Sequence, residues 1–137
     1  IETMLNDGSA YNASIPKVDK ILCDVPCSGL GVIRKKPEIR YKKSDEVDKL
    51  GDLQYAILCV SSNYLKIGGE LVYSTCSLNP DENEKIIEKF LSEHNDFESV
   101  KVLPELKRYN VETDYVTLMP HIHGCDGFFI SKIKRIR

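Results

Sequence analysis

The 137-residue chain lacks several features that mark special protein classes. No apolar run approaches the length of a membrane span, and no basic segment followed by an apolar one is present at the start. The five cysteines are odd in number and irregularly spaced, which argues against a disulfide framework and favours free thiols in a reducing, cytoplasmic location. Repeats and low-complexity segments are also absent. With 42% hydrophobic residues, the chain is expected to fold as one globular domain.

A strong net charge is missing as well. The formal net charge of -2 gives no global nucleic-acid signal, so any such signal must be local. Residues 34–43 provide one, because they hold six cations against the single anion Glu38. The six cations are Arg34, Lys35, Lys36, Arg40, Lys42 and Lys43. This segment follows a candidate site in an acidic chain, so we predict that it binds a polyanionic substrate, with a merely solvated loop as the alternative. Its aromatic residue, Tyr41, could stack on a base or pack against the core.

That candidate site follows a short apolar run that ends abruptly, in the sequence VDKILCDVPCSGLG. Residues 18–24 are predicted to form a buried parallel strand. Open α/β sheets bind their ligands just beyond the carboxyl ends of such strands. Asp24 and Cys27 lie there, with Pro26 fixing the backbone between them, and they form a candidate site. The alternative is a plain strand and turn in which Cys27 is a small hydrophobic residue.

The segment after the basic loop predicts a second crossing of the same sheet. A helix is expected from Ser44 to the glycine pair at 68–69, and a strand over residues 70–75 ends beside Cys76. Two strands joined through a helix predict a βαβ unit with a parallel pair, so Cys76 should emerge at the same sheet edge as Cys27. The apolar face of the helix is expected to consist of Val47, Leu50, Leu53, Ile57, Val60 and Tyr64.

A second helix is predicted to begin at the tetrapeptide NPDE. Asn79 is its cap, Glu82 completes a capping box three residues later, and the helix runs to about His94. Cys76 lies just before it, so the helix dipole would favour the thiolate form of that side chain.

The C-terminal part of the chain predicts further strands. One covers residues 97–103, and a closing hairpin pairs 115–119 with 127–133. In the hairpin loop, alternating residues could ligate a metal ion: His121, His123 and Cys125. Three ligands so close together, with no second cluster, favour a structural turn instead.

The first residues of the chain repeat the pattern of a strand and a turn. Residues 1–8 contain a few apolar residues that lead to a turn at Asp7. From the sequence alone, Asp7 is better explained as a turn residue that binds its own backbone.

Three segments together resemble the Sun/RsmB branch of the Nop/Sun family of RNA cytosine-5 methyltransferases. DVPCSGLG, YSTCS and HGCDGFF match the family segments D-A-P-C-S-G-x-G, T-C-S and G-x-D-G-F-F, with Val25 in place of the usual alanine. The basic segment RKKPEIRY resembles this branch too, so the match is spread over nearly the whole chain. The resemblance implies an α/β, Rossmann-like fold of the S-adenosylmethionine-dependent methyltransferases. Residues 1–137 would form a partial catalytic domain, the C-terminal half of a mostly parallel sheet with an antiparallel closing hairpin.

The resemblance also implies an activity, which is S-adenosyl-L-methionine-dependent methylation of cytosine C5 in RNA, and ribosomal RNA is the expected substrate. On the matching positions, Cys76 would add to cytosine C6 and Cys27 would assist the resolution of the adduct. Asp24 would hydrogen-bond the pyrimidine and lie near the cofactor, and Asp7 would bind the adenine of the cofactor. The substrate RNA would contact Pro26, Arg34, Lys35, Lys36 and Arg40.

The chain departs from the family in what it lacks. The glycine-rich cofactor loop and the acidic residue for the ribose are missing, and Gly29-x-Gly31 follows the wrong strand to replace them. We therefore expect these 137 residues alone to bind the cofactor weakly and to be inactive. The strand at 18–24 would keep an unpaired edge and an uncovered apolar face, which predicts a homodimer through that edge.

Two alternative hypotheses remain open. In DNA cytosine-5 methyltransferases the nucleophile is the cysteine of the P-C segment, which is Cys27 here. Alternatively, the chain is a catalytically silent module that binds RNA through residues 34–43. Adduct formation with a fluorinated cytosine distinguishes the enzyme from the silent module.

Overall fold

The structure is a computed structural model that describes residues 2–41, 44–102 and 114–137. For residues 44–48 it describes the backbone but not the side chains. The strands are β1 (Val18–Asp24), β2 (Leu65–Thr75), β3 (Phe97–Val100), β4 (Tyr115–Leu118) and β5 (Phe128–Arg135). The α-helices are α1 (Ser44–Asn63), α2 (Glu84–Glu93) and the short α3 (Pro120–His123). Three single 3-10 turns, at Leu30–Val32, Pro37–Tyr41 and Pro80–Glu82, complete the described elements.

The strands form one sheet in the order β1-β2-β5-β3, and β4 also pairs with β5. β1 and β2 are parallel and are joined through α1, which confirms the predicted βαβ unit. β5 runs antiparallel to β2. On its other side β5 pairs with β3 over residues 132–135 and with β4 over residues 128–131. The predicted closing hairpin is therefore present as β4 and β5.

The boundary between α1 and β2 differs from the prediction. α1 ends at Asn63, before the glycine pair, and β2 already begins at Leu65. The register with β1 shifts between Val18 and Lys20, so residues 66–69 form a bulge in β2. Gly68 adopts a φ of 83°, a left-handed conformation that suits glycine. The glycine pair thus shapes a strand bulge instead of ending a helix.

The buried face of α1 is also rotated from the predicted stripe. Leu53 is 40% exposed, whereas Gln54 and Leu58 are completely buried. The spacing of apolar residues predicts the stripe, and a glutamine that is buried does not contribute to such a pattern. Gln54 lies in the interior because its Nε2 donates hydrogen bonds to the carbonyl oxygen of Pro26 and to the carboxylate of Glu82.

The second helix begins later than the sequence predicts. The Asn79 side chain accepts a hydrogen bond from the backbone N–H of Asp81 at 3.1 Å, but it caps only the 3-10 turn Pro80–Glu82. The α-helix itself starts at Glu84. Glu82 does not return to the cap as a capping box requires, because its side chain points into the interior. α2 therefore does not begin directly after Cys76. This differs from the prediction, in which the helix dipole favours the thiolate form of Cys76.

The hydrophobic core lies between the sheet and the helices α1 and α2. α2 contributes Ile86, Ile87 and Phe90 to this core, and all three are buried. Phe90 packs edge-on against Phe97 of β3, with ring centroids 5.1 Å apart. Other fully buried core side chains are Leu58, Leu65, Leu71, Tyr73, Phe129 and Ile133.

Two other predicted strands differ from the structure, one because it does not form and one because it is shorter. Residues 2–6 form no strand, and the chain turns at Asp7, whose carbonyl oxygen accepts from the N–H of Ala10 at 3.1 Å. Strand pairing needs a neighbour, and residues 2–6 are exposed with none beside them in the described ranges. β3 ends at Val100, and the last predicted residue of that strand, Leu103, lies outside the described residues.

β1 is the terminal strand of the sheet, as expected. Its residue Leu22 is 72% exposed on the face of the sheet opposite the core. Among the described residues, no helix is both long and apolar enough to cross a membrane.

Three loops meet at Gly31, which follows β1 in the chain. The N–H of Gly31 donates to the carbonyl oxygen of Cys76 at 2.9 Å, and the N–H of Gly127 donates to the carbonyl oxygen of Gly31 at 2.8 Å. A Cβ atom on Gly31 would lie 2.1 Å from the Gly127 carbonyl oxygen. The three sequence segments that resemble the family therefore contact one another at a point where only glycine fits.

Substituting this glycine should destabilise the protein. We expect Gly31→Ala to lower the free energy of unfolding by about 1–3 kcal/mol, because the added methyl group overlaps backbone atoms that cannot move aside independently. Urea denaturation followed by circular dichroism measures this change.

The matched control is Gly51→Ala within α1, where the added methyl group would meet its nearest neighbour at 3.8 Å. This substitution should raise stability by about 0.5–1 kcal/mol through helix propensity. Equal effects of the two substitutions would show that the contact at Gly31 is not tight.

Candidate active site

Two cysteine sulfurs meet at the carboxyl ends of β1 and β2. The Sγ atoms of Cys27 and Cys76 are 3.1 Å apart, and both side chains are partly buried. The strands are in parallel register up to the pair Asp24 and Ser74, and the N–H of Val25 still donates to the Ser74 carbonyl oxygen. The two loops therefore leave the sheet at the same level. The expectation that both cysteines emerge at one edge is confirmed.

The environment of Cys27 keeps that thiol protonated. Burial, and secondly the neighbouring Cys76 sulfur, raise the pKa of Cys27 well above its ordinary value, while backbone hydrogen bonds at Gly29 and Cys76 offset only part of this effect. At neutral pH the Cys27 thiol therefore retains its proton and can donate a hydrogen bond to the sulfur of Cys76. Such a pair suits one thiol that reacts and one that assists.

Asp24 lies at the end of β1, on the face of the sheet opposite the helices. Its carboxylate accepts a hydrogen bond from the Ser74 hydroxyl at 2.8 Å and is exposed. Side chains alternate along a strand, so the preceding residue, Cys23, is buried against α1 while Asp24 is not. Asp24 borders an open, mainly apolar cavity of about 270 Å³. The lining residues are Leu22, Asp24, Val72, Ser74, Phe128 and Ile130.

The residue that sequence reasoning missed is Glu82, which is only 1% exposed. Its Oε1 accepts from the backbone N–H of Ser28 at 2.7 Å and from Nε2 of Gln54 at 3.0 Å. Its Oε2 accepts from the hydroxyl groups of Ser28, at 2.5 Å, and Ser77, at 2.6 Å. A buried carboxylate is tolerated where such donors surround it. Both serines directly follow a cysteine of the pair, and this repeated Cys-Ser sequence is the signal that could have identified the network.

Gln54 extends the network to the loop that contains Cys27. Its Nε2 also donates to the carbonyl oxygen of Pro26 at 2.9 Å, while its Oε1 is buried without a hydrogen-bond partner among the described residues. The side chain of Pro26 itself is exposed. The structure thus assigns the Pro26 carbonyl to a structural contact and leaves its ring accessible.

The loop that contains Cys76 is fixed by a second set of contacts. The Asn83 side chain donates from Nδ2 to the carbonyl oxygen of Ser77 at 3.0 Å and accepts from the Thr75 hydroxyl at 2.6 Å. The N–H of Asn79 donates to the hydroxyl oxygen of Ser77 at 3.1 Å. Residues on both sides of Cys76 are therefore held by the turn that precedes α2.

The basic residues proposed to contact RNA lie in the turns after Gly31. Lys35 Nζ forms an ion pair with Asp126 at 2.5 Å, and Arg34 approaches the same carboxylate at 3.8 Å. Lys36 and Arg40 are exposed to solvent. All four cations are exposed, and two of them, Arg34 and Lys35, also contact Asp126. Tyr41 is 87% exposed, which favours the solvent-facing alternative over core packing.

Asp7 lies in a separate turn near the start of the chain. Its carboxylate accepts from the hydroxyl and the N–H of Ser9, and these hydrogen bonds lower the pKa of Asp7. The side chain is exposed. The turn-residue interpretation of Asp7 is confirmed, and its carboxylate lies outside the network around Cys27 and Cys76.

The hairpin loop considered as a metal site is folded as the short helix α3. The Nδ1 atom of His123 accepts a hydrogen bond from the N–H of Met119 at 2.8 Å, and His121 is exposed. No group of three or more potential metal ligands converges anywhere in the described parts of the chain.

Curated relatives share most of this chain. Over 122 residues this chain is 44% identical to the probable ribosomal RNA small subunit methyltransferase B of Bacillus subtilis. The aligned region covers 85% of this chain and 27% of the relative. It is 34% identical over 135 residues to the ribosomal RNA small subunit methyltransferase F of Serratia proteamaculans, with 94% of this chain and 28% of the relative covered. The chain thus spans about a quarter of the length of these relatives.

A solved structure shares the fold. The crystal structure of NSun6 from Pyrococcus horikoshii with SFG superposes with a TM-score of 0.75 at 28% identity, over 89% of this chain and 31% of that one. The chain therefore has part of the Rossmann-like α/β fold of the S-adenosylmethionine-dependent methyltransferases, as the resemblance implied.

The match to a family model agrees with both comparisons. The model described as 16S rRNA methyltransferase RsmB/F matches residues 1–134, which include the loops of both cysteines and the loop of Asp126. The chain belongs to the RsmB/F family of 16S rRNA methyltransferases.

Proposed function

We propose that the protein to which this chain belongs methylates C5 of a cytosine in ribosomal RNA, in the cytoplasm, with S-adenosyl-L-methionine as the methyl donor. The observation that carries the proposal is the 3.1 Å contact between the sulfurs of Cys27 and Cys76. The names of the curated relatives support ribosomal RNA as the substrate class. The chemistry of cytosine supports the need for two thiols, one that adds to the ring and one that assists its departure.

Cytosine C5 is a poor nucleophile until a group adds at C6. In the proposed reaction the Cys76 thiolate forms a bond to C6, which makes C5 electron-rich enough to accept the methyl group. Loss of the C5 proton to a base and departure of the Cys76 sulfur then restore the aromatic ring. A thiolate suits this role because it is both a strong nucleophile and a workable leaving group.

Cys27 and Asp24 assist these steps. Cys27 retains its proton at neutral pH and lies against the sulfur of Cys76, so it can stabilise that sulfur when it leaves C6. Asp24, as a carboxyl group, donates a proton or a hydrogen bond to N3 of the pyrimidine and so disperses the negative charge that develops there, while the Ser74 hydroxyl donates to the other oxygen and orients the side chain. The target cytosine must be unpaired or extruded to reach these side chains.

The chain's residues fit the methyl donor in part. Asp24 and Asp7 offer exposed carboxylates that can accept hydrogen bonds from amino groups, and the cavity beside Asp24 offers apolar surface. S-adenosyl-L-methionine would supply an electrophilic methyl group there. The glycine-rich loop is not among these 137 residues, so we expect the chain by itself to bind the donor weakly and to be inactive.

The RNA backbone is expected to contact the exposed cations after Gly31. Lys36 and Arg40 are available to phosphate groups, and Lys35 and Arg34 are held beside them by Asp126. The exposed ring of Tyr41 adds a surface on which an unpaired base can stack.

The exposed edge of β1 supports a further expectation about partners. Among the described residues no strand pairs with the outer edge of β1, and this edge together with the exposed Leu22 favours pairing with a second copy of the chain. The isolated chain is expected to self-associate through this edge.

The identity of the nucleophile can be tested by trapping. In the full-length protein, RNA that contains 5-fluorocytosine should form a covalent adduct, because fluorine cannot leave C5 as a proton does. Cys76→Ala should abolish this adduct, whereas Cys27→Ala should preserve it, since only Cys76 forms the bond to C6. Denaturing electrophoresis of the protein–RNA adduct measures both.

The control for this experiment is Cys59→Ala, a partly buried thiol of α1 outside the site. It should leave the adduct unchanged. Loss of the adduct in Cys27→Ala and its retention in Cys76→Ala would instead assign the nucleophile to Cys27, as in DNA cytosine-5 methyltransferases.

The RNA-binding surface can be tested separately from catalysis. Replacing Lys36 and Arg40 together by glutamate should weaken RNA binding and reduce the slope of log affinity against log salt by about 0.7–0.9 for each phosphate group that the variant no longer neutralises. Lys89→Glu, an exposed cation of α2, is the control and should change neither. Filter binding over a range of salt concentrations gives both values.

Filter binding also tests the alternative hypothesis that the chain is a catalytically silent module that binds RNA. RNA affinity that survives substitution of both Cys27 and Cys76, together with no adduct in the unsubstituted protein, would favour an RNA-binding module over the enzyme.

A further inference from the structure

We propose that Glu82 is a positioning residue that holds Cys27 and Cys76 in contact by binding the serine that follows each of them. The inference rests on the proposed function, because the contact between the two thiols is what the reaction uses. Glu82 itself touches neither sulfur, and its action is exerted through Ser28 and Ser77.

The loops of Cys27 and Cys76 are also linked by the hydrogen bond from the N–H of Gly31 to the carbonyl oxygen of Cys76, but that donor lies four residues beyond Cys27. Each loop leaves a different strand, so the sheet alone fixes only their starting points at Asp24 and Thr75. Beyond those points, one carboxylate receives hydrogen bonds from both loops, and the hydroxyl groups of Ser28 and Ser77 also lie 2.9 Å from each other. The clamp therefore acts at the residues adjacent to the reactive sulfurs.

The position of the clamp is itself fixed by neighbouring elements. The Tyr73 hydroxyl, completely buried, donates to the backbone carbonyl oxygen of Glu82 at 2.7 Å. Gln54 donates to the carboxylate from α1. Contacts from β2 and α1 thus fix the position of Glu82 independently of the two loops. Its carboxylate can therefore hold both cysteines in place.

An ionised carboxylate is suited to this task because it only accepts hydrogen bonds and has about four lone-pair sites. The four donors around Glu82 occupy both oxygens, two donors on each. Truncating the side chain would leave a backbone N–H, two hydroxyl groups and an amide without this acceptor. The serines would then rearrange to find other partners, and the cysteine beside each would move with them.

Disulfide formation tests this arrangement without requiring activity. With glutathione disulfide as the oxidant, the thiols of Cys27 and Cys76 are oxidised to one disulfide while two glutathione thiols are formed. In the unsubstituted chain this disulfide should form in preference to pairs that involve Cys59 or Cys125. Glu82→Ala should slow its formation and reduce that preference, as measured by mass spectrometry of proteolytic peptides.

Two further variants keep the test decisive. Ser77→Ala removes one arm of the clamp, together with the acceptor of the Asn79 N–H, and should produce the same change. It serves as the test if Glu82→Ala fails to fold, with folding judged by thermal denaturation. Glu88→Gln, an exposed carboxylate of α2, should behave as the unsubstituted chain. An unchanged rate and preference in a folded Glu82→Ala or Ser77→Ala variant would overturn the proposal.

Methyl transfer by the full-length protein separates this inference from the proposed function. Glu82→Ala should reduce kcat by about 100-fold, as expected for a displacement of roughly 1 Å between reacting groups, while KM for RNA stays unchanged. If the unsubstituted protein transfers no methyl group but the disulfide result holds, the proposed function fails and the positioning role stands. If methyl transfer occurs and the substitutions alter neither kcat nor disulfide formation, only the positioning role fails.

Discussion

Parallel pairing of β1 with β2 is the constraint on which the site depends. Because both strands run in the same direction and are in register at Asp24 and Ser74, the loops after them begin side by side. An antiparallel pair would have placed the two loops at opposite ends of the sheet. The 3.1 Å contact between the sulfurs of Cys27 and Cys76 follows from this pairing and from the hydrogen bonds that hold the loops. The helix α1 makes the crossover that parallel pairing requires.

The interior of the site is organised around a negative charge and not around apolar packing. Glu82 is buried in a region where an ionised group is costly unless donors surround it, and four donors do so. Close backbone contacts at Gly31 complete the arrangement, since they connect the loop after β1 with the loops of Cys76 and Gly127. The segments that characterise the family are therefore also the segments that hold one another in place.

The sequence was sufficient to predict the features that repeat or alternate, and insufficient for those that depend on distant contacts. The βαβ unit, the closing hairpin and the meeting of Cys27 with Cys76 follow from hydrophobic patterns and strand direction. The capping-box prediction for Glu82 is wrong, because local sequence cannot show that a charged side chain turns inward to Ser28 and Ser77. The ion pair of Lys35 with Asp126 joins residues far apart in the chain, and a local charge count does not detect such a pair.

The most direct test of the account measures the proximity of the two thiols in solution. Phenylarsine oxide bridges two thiols that lie close together and releases one water molecule as it does so. The account predicts that each chain binds one arsenical, that the bridge joins Cys27 to Cys76, and that either Cys27→Ser or Cys76→Ser alone abolishes it in intact mass spectra. An arsenical that fails to bind, or a bridge that survives either substitution, would contradict the claim that these two sulfurs share one site.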